Sequence, residues 1–222
     1  MRNETQVVAE LTEAVRAEGN PRLFLAPVSP LPAGVLVPRA WQQLLMDQNA
    51  HKQTTNLLWH RGAQVLPQLV ASIHDRLQSV GLMVTDGKPP SLVYVFTKNG
   101  EAFARRGYPA TASLPALSKQ LSVDMSIIYA IHDGWVNLFS ADTGPLPTEE
   151  WEILGKSQPD AQDGFLKVFS TGGNAMGFDL SEHPAGSYII WSEGEVERVD
   201  DFWGRLDSWL SRGLQKMDPS TP

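Results

Sequence analysis

Cysteine is absent from the 222 residues, which excludes disulfides, a thiolate nucleophile and Cys-ligated zinc together. No apolar run approaches the roughly 18 residues that a membrane-spanning helix needs. The opening Met-Arg-Asn-Glu-Thr-Gln also lacks the apolar core of a secretory signal, so a cytoplasmic protein without a membrane partner is expected. The five His, at positions 51, 60, 74, 132 and 183, include no pair at the spacing that puts two imidazoles on one helix face. HExxH is missing as well, and no metal site is expected. His74-Asp75 and His132-Asp133 lack a nucleophile elbow to complete a triad, and a His beside Asp at a helix end is ordinarily structural. Arg105-Arg106 is too small a basic cluster for nucleic acid.

What is present suits a folded globular chain. Hydrophobic residues make up 42% and charged residues 19%, far from the composition of disorder. The net charge of −7 is unevenly spread. Residues 1–110 carry 11 Lys and Arg against 8 Asp and Glu, whereas residues 111–222 carry 7 against 17. Such an acidic half repels nucleic acid and steers basic partners toward it; the same acids would serve solubility equally well.

Along the first half, Asn3 and Gln6 fit a capping box before a helix with Val7, Val8, Leu11 and Val15 on one face. Five prolines between Pro21 and Pro38 exclude continuous helix there. Residues 40–80 have helical spacing, with Pro67 as a kink or break and Gly81 as a stop. Leu92 to Phe96 has the character of a buried strand, and Asn99-Gly100 is a strong hairpin turn signal. In the second half, apolar positions from Leu114 to Ile131 suggest a helical stretch broken near Ser122 and closed by Gly134. Short strands are expected at 135–139, 151–154, 165–170, 175–180 and 187–191. The last helix places Val199, Phe202, Trp203, Leu206, Trp209 and Leu210 on one face, with Asp200 and Asp201 at its start.

The pieces Leu114-Pro115, Ile127 to Trp135, Phe169 to Leu180, Ser187 to Gly194 and Val199 to Leu210 occur in an order that resembles the SUKH superfamily of Smi/Knr-like proteins. The resemblance covers the second half. It implies an α+β fold, a mainly antiparallel sheet flanked by helices, in residues 111–222; residues 1–110 match no part of the family pattern and are expected to be an N-terminal helical and hairpin region, an extension or a separate module. It also implies a non-enzymatic role: many bacterial members are immunity proteins that bind and neutralise a toxin exchanged between competing cells. The expected partner is then a cognate protein toxin, with a basic groove that an acidic face would occlude. An adaptor or chaperone that binds a secreted effector without inhibiting it is the alternative.

Candidate chemistry is thin. Thr171-Gly172-Gly173-Asn174-Ala175-Met176-Gly177 is glycine-rich enough to cradle a phosphate, but no helix follows it, so a turn between strands is the better account and no cofactor is expected. Glu149-Glu150-Glu152 and Glu193-Glu195-Glu197 could supply an acid/base pair, yet alternation would put the latter three on one solvated face of an extended segment. These six, with Asp133, Asp142, Asp179 and Glu182, are the expected toxin-binding surface, and Trp151 between two acids is its candidate aromatic anchor.

Overall fold

The computed structural model describes residues 4–98, 101–139, 143–154 and 164–215. The chain is α+β, with two antiparallel sheets and, among the described residues, six α-helices. Sheet 1 has the order β1 (Arg22–Leu25), β2 (Ser79–Val84), β3 (Ser91–Lys98), β4 (Glu101–Gly107), β5 (Trp135–Asn137). In sheet 2 the chain meanders through β8 (Phe165–Thr171), β9 (Asn174–Asp179), β10 (Gly186–Ile190) and β11 (Val196–Arg198). The short strands β6 (Gly144–Pro145) and β7 (Glu152–Leu154) both pair with β8.

Strand β3 is apolar at every position from Leu92 to Phe96 because sheet 1 is covered on both faces. Leu92, Tyr94 and Phe96 enter the main core, whereas Val93 and Val95 join Leu11 of α1 (Glu4–Ala14) and Val15 just beyond it in a second cluster. The β3–β4 arms pair through Lys98 and Glu101; the turn residues Asn99-Gly100, like Asn3, lie outside the described residues. The Gly172-Gly173 run is a two-residue turn joining β8 to β9, with φ of 54° and 89°. This left-handed backbone matches strand twist and favours glycine.

Helical spacing over residues 40–80 resolves into three helices, α2 (Arg39–Leu45), α3 (Ala50–Thr54, prolonged by a π-helical segment Thr55–Trp59) and α4 (Pro67–Arg76). Of the two expectations there, one holds and one needs correction. Pro67 is a break and not a kink: it begins α4, because proline's missing N–H is harmless in the first turn. Gly81 lies within β2 and stops no helix. Its neighbour β1 approaches so closely that a Cβ would sit 2.8 Å from the Phe24 carbonyl oxygen, and burial of Val80, Leu82, Met83 and Val84 masks the strand's alternation. The stretch 114–134 is also less helical than its spacing suggests. It holds a 3-10 segment Ala116–Gln120 and a single turn, α5 (Ser126–Tyr129). Around Leu121 the backbone instead bonds to Ala185, where Ser122 N–H donates to its carbonyl and Ala185 N–H donates to that of Gln120.

The final helix, α6 (Phe202–Gln215), lies on sheet 2 as its apolar face requires, with Phe202 stacked on Phe178 at 4.9 Å and Trp209 against Phe169. Asp201 accepts from Gly204 N–H and caps it. Helix α4 packs on α6, and the Asp207 carboxylate accepts the N–H groups of Gln68 (3.0 Å) and Leu69 (2.8 Å) at the start of α4. One apolar cluster therefore runs from Trp41 and Leu69 through Tyr94 to Phe178 and Leu206. Residues on both sides of position 110 share it, and β5 completes sheet 1 from beyond that position.

Asp207→Ala strands two helix-terminal N–H groups and should lower stability by about 2–3 kcal/mol in urea denaturation. Asp207→Asn, which keeps one acceptor, should lose less.

Candidate docking surface and the buried polar core

The segment after β6 forms a 3-10 turn, Thr148–Glu150, leading into β7. Two side chains fix it. Asp133, half-buried after α5, accepts the Thr148 N–H (2.7 Å) and hydroxyl (3.0 Å). Trp151 donates its indole N–H to the Tyr129 hydroxyl (2.9 Å), which donates to the Leu146 carbonyl (2.6 Å). The two rings also meet edge to face at 5.3 Å. Asp133 and Trp151 thus hold the turn, and Trp151 is half-buried in packing.

Glu149, Glu150 and Glu152 are exposed on this rigid segment. Burial, with Glu149 as an adjacent like charge, pushes the Glu150 carboxyl up, while Lys167 and Lys88 pull the other way. Neither Glu149 nor Glu150 is in an ion pair among the described residues. Glu152 reaches Lys167 only at 4.0 Å. Next to it Ile153 is 51% exposed on a strand that pairs with β8, an apolar feature that the pattern of acids in the sequence does not signal.

The other acids lie elsewhere. Asp179 is buried and accepts the N–H and hydroxyl of Ser181. Glu182 accepts the Tyr188 hydroxyl and pairs with Arg198 at 3.4 Å. Positions 193, 195 and 197 do not share an extended face: Gly194, with φ of 89°, turns the chain and β11 starts only at Val196. Glu193 and Glu195 are exposed, whereas Glu197 pairs with Arg205 on α6 and accepts the Trp191 indole N–H at 3.2 Å. The β11 edge lies four strand spacings from β7, roughly 19 Å. Asp142 lies outside the described residues.

A chain of polar groups also runs through the interior. His132, wholly buried, faces the Tyr108 carbonyl through Nδ1 (3.0 Å) and the Tyr94 hydroxyl through Nε2 (2.5 Å), and Trp59 donates its indole N–H to the Tyr94 oxygen (3.1 Å). A carbonyl can only accept, so Nδ1 carries the proton, Nε2 accepts from Tyr94, and the imidazole is neutral. Burial lowers the His132 pKa to about 4, against the opposing pull of the Tyr108 carbonyl, and raises that of Tyr94. The ring fits because β4 offers Gly107 opposite it, where a Cβ would sit 2.5 Å from the imidazole. Trp41, Trp59 and Trp135 complete an aromatic shell around the Tyr94–His132 pair. His132 is fully enclosed, and its bonds tie the residues after α5 to β3 through Tyr94 and to the end of β4 through the Tyr108 carbonyl. Among the described residues no three His, Asp or Glu converge as metal ligands.

The buried imidazole sets a pH dependence. Unfolded, it takes up a proton below about pH 6.5; folded, only below about pH 4. Its contribution is complete above pH 6.5 and is lost as pH falls through that window, by about 3 kcal/mol in total. Subtracting the denaturation curves of His132→Gln from those of the wild type should give this slope between pH 6.5 and 4 and a plateau below.

Neither a protein family model, nor a curated protein, nor a solved structure matches the chain.

Proposed function

We propose that the protein is an immunity protein that binds a cognate antibacterial toxin and occludes its basic substrate groove, using the acidic turn Thr148–Glu150 and the adjoining β7 edge. The observation that carries this reading is the Glu149–Glu150 pair: two exposed like charges, without ion-pair partners among the described residues, on a turn that Asp133 and Trp151 hold rigid. Like charges placed side by side destabilise each other, and a basic partner relieves that repulsion on binding. Because the turn is fixed beforehand, docking requires little ordering of the chain. Exposed Ile153 beside it offers apolar area to complement the charge. The resemblance of the second half's sequence to SUKH proteins points to the same role.

The experiment is a pull-down with the purified chain from the source bacterium, then a growth-protection assay with the captured toxin. Wild-type protein should capture and protect. The Glu149→Lys/Glu150→Lys variant should associate about ten-fold more slowly at low salt and lose most of its salt dependence, because long-range steering by these charges is gone. Unchanged association kinetics would move the interface elsewhere. Capture without inhibition would favour an adaptor.

A further inference from the structure

A cavity of about 290 Å³ opens between the end of β4, the start of β9 and the C-terminal half of α6. Phe169, Trp191 and Trp209 form its apolar wall, Arg105 and Arg212 its cationic one, and among the described residues no Asp or Glu lines it. Arg105 is 4% exposed, facing inward because it sits opposite Tyr94 in the β3–β4 register. Its guanidinium lies 5.1 Å over the Trp135 ring and 5.7 Å over Phe103, and Nη1 donates to the Thr143 carbonyl at 2.7 Å. Nε has no acceptor. Buried guanidinium groups are normally matched by a carboxylate or phosphate. Its neighbour Arg106, on the opposite face of β4, has such a match in Glu18 at 2.7 Å. Arg105 has none among the described residues, and burial lowers its pKa only to about 10, so it stays charged at neutral pH.

The surroundings are shaped to this charge. Gly213 sits within α6 where a Cβ would stand 3.3 Å from Nη2 of Arg105, although glycine inside a helix is ordinarily destabilising. Arg212 enters the same cavity from the neighbouring helix position and is in no ion pair among the described residues. The Asn174 carboxamide oxygen accepts from Ser192 N–H, which leaves its NH2 group to donate.

We propose that this cavity binds a small oxyanion, a phosphate or carboxylate group carried on a compact and partly apolar body, between Arg105 and Arg212. Two guanidinium groups supply forked donors for the oxyanion, and the aromatic wall receives the body. The volume is near the lower end of small-molecule sites, which fits one ring with one anionic group. None of these residues lies in the Thr148–Ile153 segment, so the site stands independently of toxin binding.

Titration calorimetry and Trp fluorescence with inorganic phosphate and with benzoate, at low and constant ionic strength, test it. Saturable one-to-one binding of either probe, with a change in Trp emission, is expected: phosphate alone would identify a phosphoryl ligand, and benzoate alone a carboxylate. Arg212→Ala, at an exposed position, should fold normally and bind about ten-fold or more weakly. Arg105→Met should abolish binding and raise the melting temperature of the ligand-free protein, since it removes an unmatched buried charge; if that variant does not fold, Arg212→Ala decides. No saturable binding of either probe at millimolar concentration, or binding that Arg212→Ala leaves unchanged, overturns the proposal.

Discussion

The Asp207 carboxylate, buried on α6 and bonded to the first free N–H groups of α4, joins the two layers of this protein. Helix α4 contributes Leu69 and Ile73 to the main core and α6 contributes Phe202, Leu206 and Leu210, so the apolar interior is continuous across the helix pair. An apolar seam alone would tolerate sliding, since hydrophobic burial has no direction. A carboxylate that must meet two particular N–H groups in a dry interior fixes the register, because leaving either donor unpaired is costly.

The same logic governs the other interior polar groups. The Trp59–Tyr94–His132 chain admits one proton arrangement, and each bond joins elements distant in sequence: the π-helical segment, β3 and the residues after α5. Where polar groups in this interior have partners, they act as locks. Arg105 departs from this pattern, with its guanidinium matched by one carbonyl and two ring faces, and that departure distinguishes a ligand-seeking charge from a structural one. Arg106, one residue away, has its charge matched because the pleat sends it to the α1 side, where Glu18 meets Nη1, although its Nη2 has no acceptor among the described residues.

At the surface, the acids of the second half divide by what they do. Asp133, Asp179, Asp201 and Glu197 accept hydrogen bonds that shape turns, cap α6 or tether β11 to it. Glu149 and Glu150 remain outward on a turn that Asp133 helps to fix, so one acid prepares the presentation of two others. Net charge thus overstates the acidic area open to a partner.

Sequence periodicity by itself determined the α+β class, the meander from Phe165 to Ile190 and the closing helix, because these depend on alternation, glycine turns and caps within a few residues. It misjudged Gly81 and the stretch from Leu114 to Ile131, where burial on both faces and a bridge to Ala185 override local preference. Only tertiary structure decided which charges are open and which are locked. The partner of Asp133 is 15 residues away and that of Asp207 as many as 139, and the identity of a charged residue carries no record of what folding brings beside it.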